Sequence, residues 1–378
     1  MLERRLLRNL DYLFIGNIIF ILAASLVVLT SASSNVTSDP LYFVKKQLVW
    51  IIFGIFAAGV MAAINYAQLV NYTRFLYVAN LLMLLAVLFI GKEAKGAERW
   101  IQLGPFLFQP SEFSKIILIV TLAHFLEQRK GKLERLRDLL PAFVHVGIPM
   151  LFIMKQPDLG TSLVLMAILF GMLYIAGARP ALLIGIIAAG IAVILLALFL
   201  HYQFGLPIPL KDYQLMRLVV FLNPYNDGQG GRGAGYHIIQ SQVAIGSGHI
   251  WGKGWNRGSQ VQLNFLPEHH TDFIFSVVGE EFGFIGAVFL LSLYFSLLYR
   301  AMKIALNAKD VFGVLLVTGV VSMFAFHILV NVGMTIGVMP ITGLPLPLFS
   351  YGGSSMLTNM LALGLVLSVN LRRQKIVF

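Results

Sequence analysis

Ten stretches of mostly apolar residues, at 12–32, 47–64, 75–90, 113–125, 139–154, 161–176, 181–202, 273–299, 311–338 and 355–371, leave this chain few folds to choose from. A helix needs about 20 apolar residues to cross a hydrocarbon core roughly 30 Å thick, and most of these stretches approach that length. Lipid offers no water to backbone N–H and C=O groups, so a continuous run must satisfy them internally, as a helix. A membrane barrel would instead alternate apolar and polar residues over segments of about ten. The stretch 113–125 is the weakest of the set, being short and carrying Lys115. The expected fold class is an all-α integral membrane protein of about ten transmembrane helices, forming a single polytopic domain over 1–378.

With 58% hydrophobic and 12% charged residues, the sequence lacks the polar surface that a soluble domain of 378 residues needs. It has no cysteine, which excludes disulfides and thiolate metal sites. A net charge of +11 invites a nucleic-acid reading, but the placement of the charges argues for topology. With the N-terminus in the cytoplasm, 16 of the 28 Lys and Arg residues fall in the short loops of that side, among them Arg4, Arg5, Arg8, Arg129, Lys130, Arg300, Arg372 and Lys375. The positive-inside rule then puts both termini in the cytoplasm, in agreement with an even number of spans. The basic residues serve orientation and attraction to the anionic lipid of the bilayer, and no nucleic-acid partner is expected. The first stretch follows basic residues as a signal peptide would, but its apolar run is too long for a cleaved one and is expected to stay as the first helix.

Most of the remaining chain is short connectors, whereas three segments on the opposite, extracytoplasmic side are rich in motifs. Segment 92–111 holds Arg99-Trp-Ile-Gln-Leu-Gly104 and Gln109-Pro-Ser-Glu112. Segment 204–271, between the seventh and eighth spans, is by far the longest loop, and 340–354 holds Gly343-Leu-Pro-Leu-Pro-Leu-Phe-Ser-Tyr-Gly-Gly353. Loops longer than a connection requires usually carry function. Within the longest one, 213–222 and 236–245 mix apolar and polar residues and suit amphipathic pieces lying in the interface. The glycine-rich run Gly228-Gln-Gly-Gly-Arg-Gly-Ala-Gly235 between them follows no strand and lacks the Lys-Ser/Thr of a nucleotide loop, so it is expected to be a flexible hinge.

Charged residues at the edges of spans are functional candidates, because burying them in lipid costs several kcal/mol unless they are paired or hydrated. In Leu266-Pro-Glu-His-His-Thr-Asp-Phe-Ile-Phe275, Pro267 and Glu268 read as the first turn of the eighth helix, which would set Glu268 and Asp272 on one face. A carboxylate at such an apolar rim suits a general base, while the bland alternative is that Asp272 caps the helix or pairs with a cation. Glu268, His269, His270 and Asp272 also invite a metal reading, against which adjacent histidines on a helix point apart. Glu112 and Lys115 stand one turn apart, either as a self-neutralising pair or facing a polar cavity in which Lys115 meets an anion. Glu280 and Glu281 point away from Asp272 and are expected to neutralise buried cations. Arg99, Trp100, Arg217, Arg232, Trp251, Lys253, Trp255 and Arg257 suit phosphates and sugar faces, or else an interfacial belt. His124, His145, His201, His237, His249 and His327 show no ligand spacing and read as ordinary polar contacts.

These segments, in this order and spacing, resemble the SEDS family of cell-wall proteins over most of the chain. The match runs from Arg99-Trp-Ile-Gln-Leu-Gly-Pro105 and Gln109-Pro-Ser-Glu-Phe-Ser-Lys115 through Gln156-Pro-Asp-Leu-Gly160, Gly235-Tyr-His-Ile-Ile-Gln-Ser241, Ala244-Ile-Gly-Ser-Gly248 and Lys253-Gly-Trp255, to the 266–275 segment and Ser350-Tyr-Gly-Gly353. The segment 235–241 is similar to the cell-elongation branch of the family rather than the division branch. The resemblance implies a glycosyltransferase of the bacterial plasma (inner) membrane that polymerises lipid II on the outer face. It implies Asp272 as the catalytic residue, Trp100 as important for activity, and Glu112 and Lys115 as lining the same cavity. It also implies a class B penicillin-binding protein as partner.

The residues accommodate that chemistry. Joining sugars requires a base for the acceptor hydroxyl, for which Asp272 is the candidate. The departing diphosphate needs cations, for which Arg99, Lys115 and Arg217 are candidates, with a divalent cation such as Mg or Mn as a further possibility. Trp100, Glu112, Lys253, Glu268 and His270 complete the expected binding set around lipid II and the growing glycan strand. Two rivals stay open at this level: a carrier or flippase of lipid-linked precursors, and a non-catalytic scaffold that recruits a penicillin-binding protein.

Overall fold

The computed structural model describes residues 10–34, 39–94, 97–104, 106–207 and 212–373. Of the residues named above, Arg4, Arg5, Arg8, Pro105 and Lys375 lie outside this set. Each expected span has its helix: α1 (Tyr12–Ser33), α2 (Tyr42–Ala63), α3 (Thr73–Ile90), α4 (Pro110–Glu127), α5 (Leu136–Lys155), α6 (Leu159–Ile175), α7 (Pro180–Phe204), α11 (Ile274–Leu306), α12 (Val311–Thr335) and α13 (Gly353–Leu371). Eight of them, with a 3-10 turn leading into α3, are long and apolar enough to cross a membrane. The other two are α6, with 17 residues, and α4, which carries Glu112, Lys115 and Glu127. The short stretch 113–125 is thus the middle of an 18-residue helix opened by Pro110 at its first turn, a position that needs no amide donor.

Helices α12 and α13 form the buried centre, and α7 stands at the edge with Ile184, Val193 and Leu195 outward. Such exposed apolar side chains suit a lipid solvent. Where α13 crosses α2, a Cβ at Gly364 would stand 2.7 Å from the Ala58 carbonyl oxygen, so only glycine allows this approach. Close contact through small residues is how helices associate when lipid removes the hydrophobic drive. At the end of the bundle away from the motif-rich loops, Tyr66 Oη donates to Asp310 Oδ2 at 2.9 Å and Arg372 donates to the Ala62 and Ala63 carbonyls at 3.0 and 2.7 Å.

Three features mark the motif-rich side. Segment 92–111, read as plain loop, contains a small antiparallel sheet of order β1 (Lys92–Ala94), β2 (Ala97–Leu103), β3 (Phe106–Phe108), with Trp100 opposite Lys92 and Ile101 opposite Phe108. Aromatic and β-branched residues favour the strands, and Gly104 takes a φ of 60° at the tight turn. In the long loop, the two amphipathic pieces are helices α8 (Asp212–Leu222) and α9 (Tyr236–Ser247), followed by the single turn α10 (Ser259–Gln262). Third, helix α11 begins at Ile274 rather than at Pro267. Residues 267–273 form turns, with Glu268 at a φ of 50° and the Phe273 amide returning to the Glu268 carbonyl at 3.3 Å. Glu268 and Asp272 therefore do not share a helical face.

The glycine-rich run between α8 and α9 is not an open hinge. The Asp227 carboxylate sits inside it and accepts four backbone N–H groups, from Gln229 and Gly231 on Oδ1 at 2.9 and 2.8 Å, and from Gly233 and Gly235 on Oδ2 at 2.7 and 3.2 Å. These donors hold its pKa down to about 2, from the Gly231 amide first. Below that value the carboxyl loses acceptor capacity and the loop loses its organising centre. Because the folded pKa is depressed, the loop should be fully held above about pH 4, the unfolded pKa of an aspartate, and released as pH falls through about 2. Asp227→Asn, which turns one acceptor into a donor, should release it already at neutral pH. Limited proteolysis within 228–235 reads both effects, and an unchanged cleavage rate in the Asn variant would refute the role given to the carboxylate.

Candidate active site

The site is built on a stretch of irregular backbone, 340–352, that enters the bundle between α12 and α13. Leu344, Leu346, Leu348, Phe349 and Ser350 are buried in it. Buried backbone without regular structure must find other partners for its carbonyls. Here side chains from four helices supply them. Asn331 Nδ2 donates to Leu344 O at 2.8 Å, and Tyr294 Oη to Pro347 O at 2.6 Å. Ser25 Oγ donates to Phe349 O at 3.0 Å, and Gln47 Nε2 to Ser350 O at 3.2 Å. His327 Nδ1 meets Pro345 O at 3.3 Å.

Asp272 stands on this coil, two residues ahead of α11. Its carbonyl accepts the same Asn331 amide nitrogen at 2.9 Å, Thr271 O accepts Ser350 Oγ at 2.6 Å, and His270 O accepts the Tyr351 amide at 3.1 Å. These ties explain why the chain is not yet helical at Pro267, because its backbone is engaged with the coil instead. Gly343 is exposed, Asp272 half-buried, and a Cβ on Gly343 would lie only 3.5 Å from Asp272 Oδ2. The half-buried carboxylate thus stands next to an exposed glycine whose φ of 75° favours a residue without a side chain.

The turn 156–158 and the first turn of α6 close against the coil, since a Cβ at Gly160 would meet Leu344 and the Thr342 carbonyl at 3.0 Å. Arg99, from β2, clasps the turn 156–158: Nε donates to Gln156 O at 3.0 Å, Nη2 to Pro157 O, and Nη1 lies 3.7 Å from Asp158 Oδ1. Asp158 caps α6 through the Thr161 amide and also accepts Ser111 Oγ at 3.3 Å, joining α4 to the assembly. Tyr213 of α8 donates to Pro157 O at 3.2 Å, and the Arg217 guanidinium lies 5.5 Å from the Tyr213 ring centre. Burial lowers the Arg217 pKa, and the charges acting on it include Arg99, Asp272 and Asp158. Arg99 and Tyr213 thus meet on one carbonyl, that of Pro157, which ties β2 and α8 to the same turn. Trp100 follows Arg99 on β2 and is half-buried.

Lys115 is placed differently from the reading that set it against a ligand. It is fully buried, with Nζ donating to Glu112 Oε1 at 2.8 Å and lying 3.1 Å from His327 Nε2. The Pro345 carbonyl can only accept, so the His327 proton is on Nδ1 and Nε2 accepts from Lys115. The ammonium supports the coil from below.

Lys253 is also committed within the protein, to Glu280 Oε1 at 2.7 Å and Ser259 Oγ at 2.7 Å. Glu280 thus neutralises a cation as expected, while Glu281 accepts from Ser31 Oγ. His270 packs beside Phe43 and Tyr351, at ring separations of 4.6 and 6.2 Å, and Glu268 accepts Thr271 Oγ1 at 2.8 Å. Among the described residues no three His, Asp or Glu side chains stand together as a metal-ligand set. The His269 and His270 rings lie 78° apart in plane.

Sequence reasoning missed Asn331, read His327 as an ordinary polar contact, and carried Asp158 and Gly343 only inside motifs, with no role of their own. A signal for two of them was present: His327 and Asn331 are four residues apart in an apolar span, on one helical face, where polar side chains need a reason to be.

Comparison with known proteins agrees with this architecture. The family model described as cell cycle protein, covering FtsW, RodA and SpoVE, matches residues 11–375. The curated peptidoglycan glycosyltransferase MrdB of Escherichia coli strain K12 is 37% identical over 366 residues, covering 97% of this chain and 95% of that protein. A probable peptidoglycan glycosyltransferase FtsW of Trichlorobacter lovleyi is also 37% identical, over 371 residues, with coverage of 96% and 94%. Overall identity to these two relatives thus favours neither. Among solved structures, a chain from a peptidoglycan synthase complex that coordinates polymerization and crosslinking superposes with a TM-score of 0.78 at 35% identity, covering 95% of this chain and 97% of that one.

The buried pair under the coil gives a direct test. Lys115→Met leaves Glu112 as an uncompensated buried carboxylate and should lower stability by about 3–5 kcal/mol. Adding Glu112→Gln should recover most of that loss, since a buried ion pair can be replaced by neutral groups at little cost. Thermal unfolding of the single and double variants in detergent reads the difference, and equal losses in both would show that the charges are not coupled.

Proposed function

This chain belongs to the FtsW, RodA and SpoVE family of cell cycle proteins, and on that premise we propose that it polymerises lipid II into β-1,4-linked glycan strands with Asp272 as general base. It is a multi-pass membrane protein, and its relatives are peptidoglycan glycosyltransferases by name, which carries the enzyme class and sets the carrier and scaffold readings aside. The roles of individual residues, and lipid II as substrate, are our reading. The observation that carries it is the half-buried Asp272 carboxylate beside the exposed, side-chain-free Gly343, on backbone pinned to the coil by Asn331 and Ser350.

In this reading Asp272 takes the proton from the 4-hydroxyl of the acceptor GlcNAc as that oxygen bonds to the anomeric carbon of the donor MurNAc. The bond from that carbon to the lipid diphosphate breaks on the opposite face, which inverts an α linkage to a β one, and the electron pair leaves with the diphosphate. Arg217 and Arg99 face the negative charge that grows on the leaving group, and their fixed placement is what makes such stabilisation effective. Trp100, on the strand that carries Arg99, supplies an aromatic face for a sugar ring. A divalent cation such as Mg or Mn, carried on the diphosphate, is compatible with this chemistry, but the described residues form no ligand set for one and no step is routed through it.

The outer face of the plasma membrane as the site of polymerisation, with both termini in the cytoplasm, follows from the distribution of basic loops. A class B penicillin-binding protein as partner is supported by the likeness to a chain of a synthase complex that joins polymerization to crosslinking. The cell-elongation branch is supported by the Gly235–Ser241 motif.

Asp272→Asn removes the proton acceptor and little else. It should retain fold and lipid II binding while losing at least about a hundredfold in polymerisation, the lower end of what a general base contributes. Purified protein with its penicillin-binding partner, labelled lipid II and penicillin to block crosslinking would show this as missing glycan on a gel. Polymer of normal length and rate would remove Asp272 from the role.

A further inference from the structure

Helix α11 is broken at Gly283, whose φ of 65° and ψ of −162° are not helical. In an unbroken helix the amides of Phe284 and Ile285 would donate to the carbonyls of Glu280 and Glu281. Instead Phe284 N donates to His249 O at 2.9 Å and Ile285 N to Ile250 O at 3.2 Å. The vacated carbonyls of Glu280 and Glu281 accept from the amides of Lys253 and Gly254 at 3.0 and 2.9 Å. The extracytoplasmic loop thus enters the break and trades two intrahelical hydrogen bonds for four of its own. Glycine is what allows the approach: a Cβ on Gly252 would stand 2.2 Å from Glu281 O, and one on Gly283 2.3 Å from Gly252 N.

Side chains reinforce the backbone stitch. Lys253 Nζ meets Glu280 Oε1 at 2.7 Å, and the Gln260 amide reaches the same oxygen at 3.0 Å. Glu280 is fully buried. The loop in turn is anchored to α1, where Trp255 Nε1 donates to Val27 O at 3.0 Å. The half of α11 before the break, 274–282, starts two residues after Asp272. This half-helix is buried along nearly all its length, with Ser276 Oγ 2.7 Å from Ser241 Oγ of α9 and Gly279 packed on Ile245, while its broken end, having lost its own continuation, is held by the loop.

We propose that loop 249–260 is a clamp on half-helix 274–282, and that Lys253 and Glu280 are positioning residues which set where Asp272 stands. Neither touches substrate. The proposal rests on reading Asp272 as the base. Without the Lys253 cation, Glu280 is a buried carboxylate with no counter-charge, and letting the loop part from the half-helix gives it water. The base then drifts from its place although its own side chain is intact, and small displacements of a reacting group cost rate rather than binding.

Two measurements on K253M and K253R test this, with D272N as reference. Hydrogen exchange of the intact protein in detergent should show K253M exchanging at least tenfold faster in peptides within 274–282, with α12 and α13 unchanged as evidence of an intact fold, and K253R close to the parent. In the polymerisation assay, K253M should lose at least tenfold in kcat with KM for lipid II within twofold, and K253R should recover most of the rate. A raised KM with unchanged kcat would make Lys253 a substrate contact and overturn the proposal. Unchanged exchange in 274–282 would overturn the clamp whatever the kinetics. Full activity in D272N would instead overturn the reading of the base, and exchange in K253M would still report on the clamp.

Discussion

Irregular backbone cannot lie inside a helical membrane bundle unless something claims its hydrogen-bonding groups, and this requirement organises the whole motif-bearing face. Each unsatisfied carbonyl in an apolar interior costs several kcal/mol, far more than a formed hydrogen bond returns net. The coil 340–352 meets the requirement with Ser25, Gln47, Tyr294, His327 and Asn331, drawn from α1, α2, α11 and α12. The coil is therefore a floor fixed by its surroundings rather than a connector draped over them. Asp272 inherits its location from that floor through Asn331, Ser350 and Tyr351.

Charge follows the same logic. Inside the bundle, Lys115 is neutralised by Glu112, and at its rims Lys253 meets Glu280, Arg99 meets Asp158 and Arg300 meets Asp11. Pairing makes such residues tolerable but does not make them idle, because each pair also joins elements that the chain order does not. Lys115 links α4 to α12 and, through His327, to the coil, while Arg99 links the small sheet to the turn before α6.

What was legible in the sequence were features decided locally. All ten apolar stretches are helical, eight of them long and apolar enough to cross a membrane by that measure alone, and the two amphipathic pieces of the long loop are helices as well. The failures were cases in which a distant partner outweighed a local signal. Pro267 and Glu268 look like a helix start, but Ser350 and Tyr351 hold the backbone there in turns. The glycines of 228–235 look flexible, but a single carboxylate just before them gathers their amides. Lys115 looks available, and only the fold shows His327 and a coil standing over it.

The hydrogen bond from Ser25 to the Phe349 carbonyl joins residues 324 positions apart in the chain. Together with the bonds from Gln47 and Tyr294, it makes distant spans joint owners of a few residues of coil. Evolution of such a protein is then constrained in an unusual pattern: a helix that never meets substrate cannot drift alone. Substitutions at these inward hydroxyls and amides should survive mainly where the coil changes with them, so correlated change between the first span and the coil would record a contact that chain order hides.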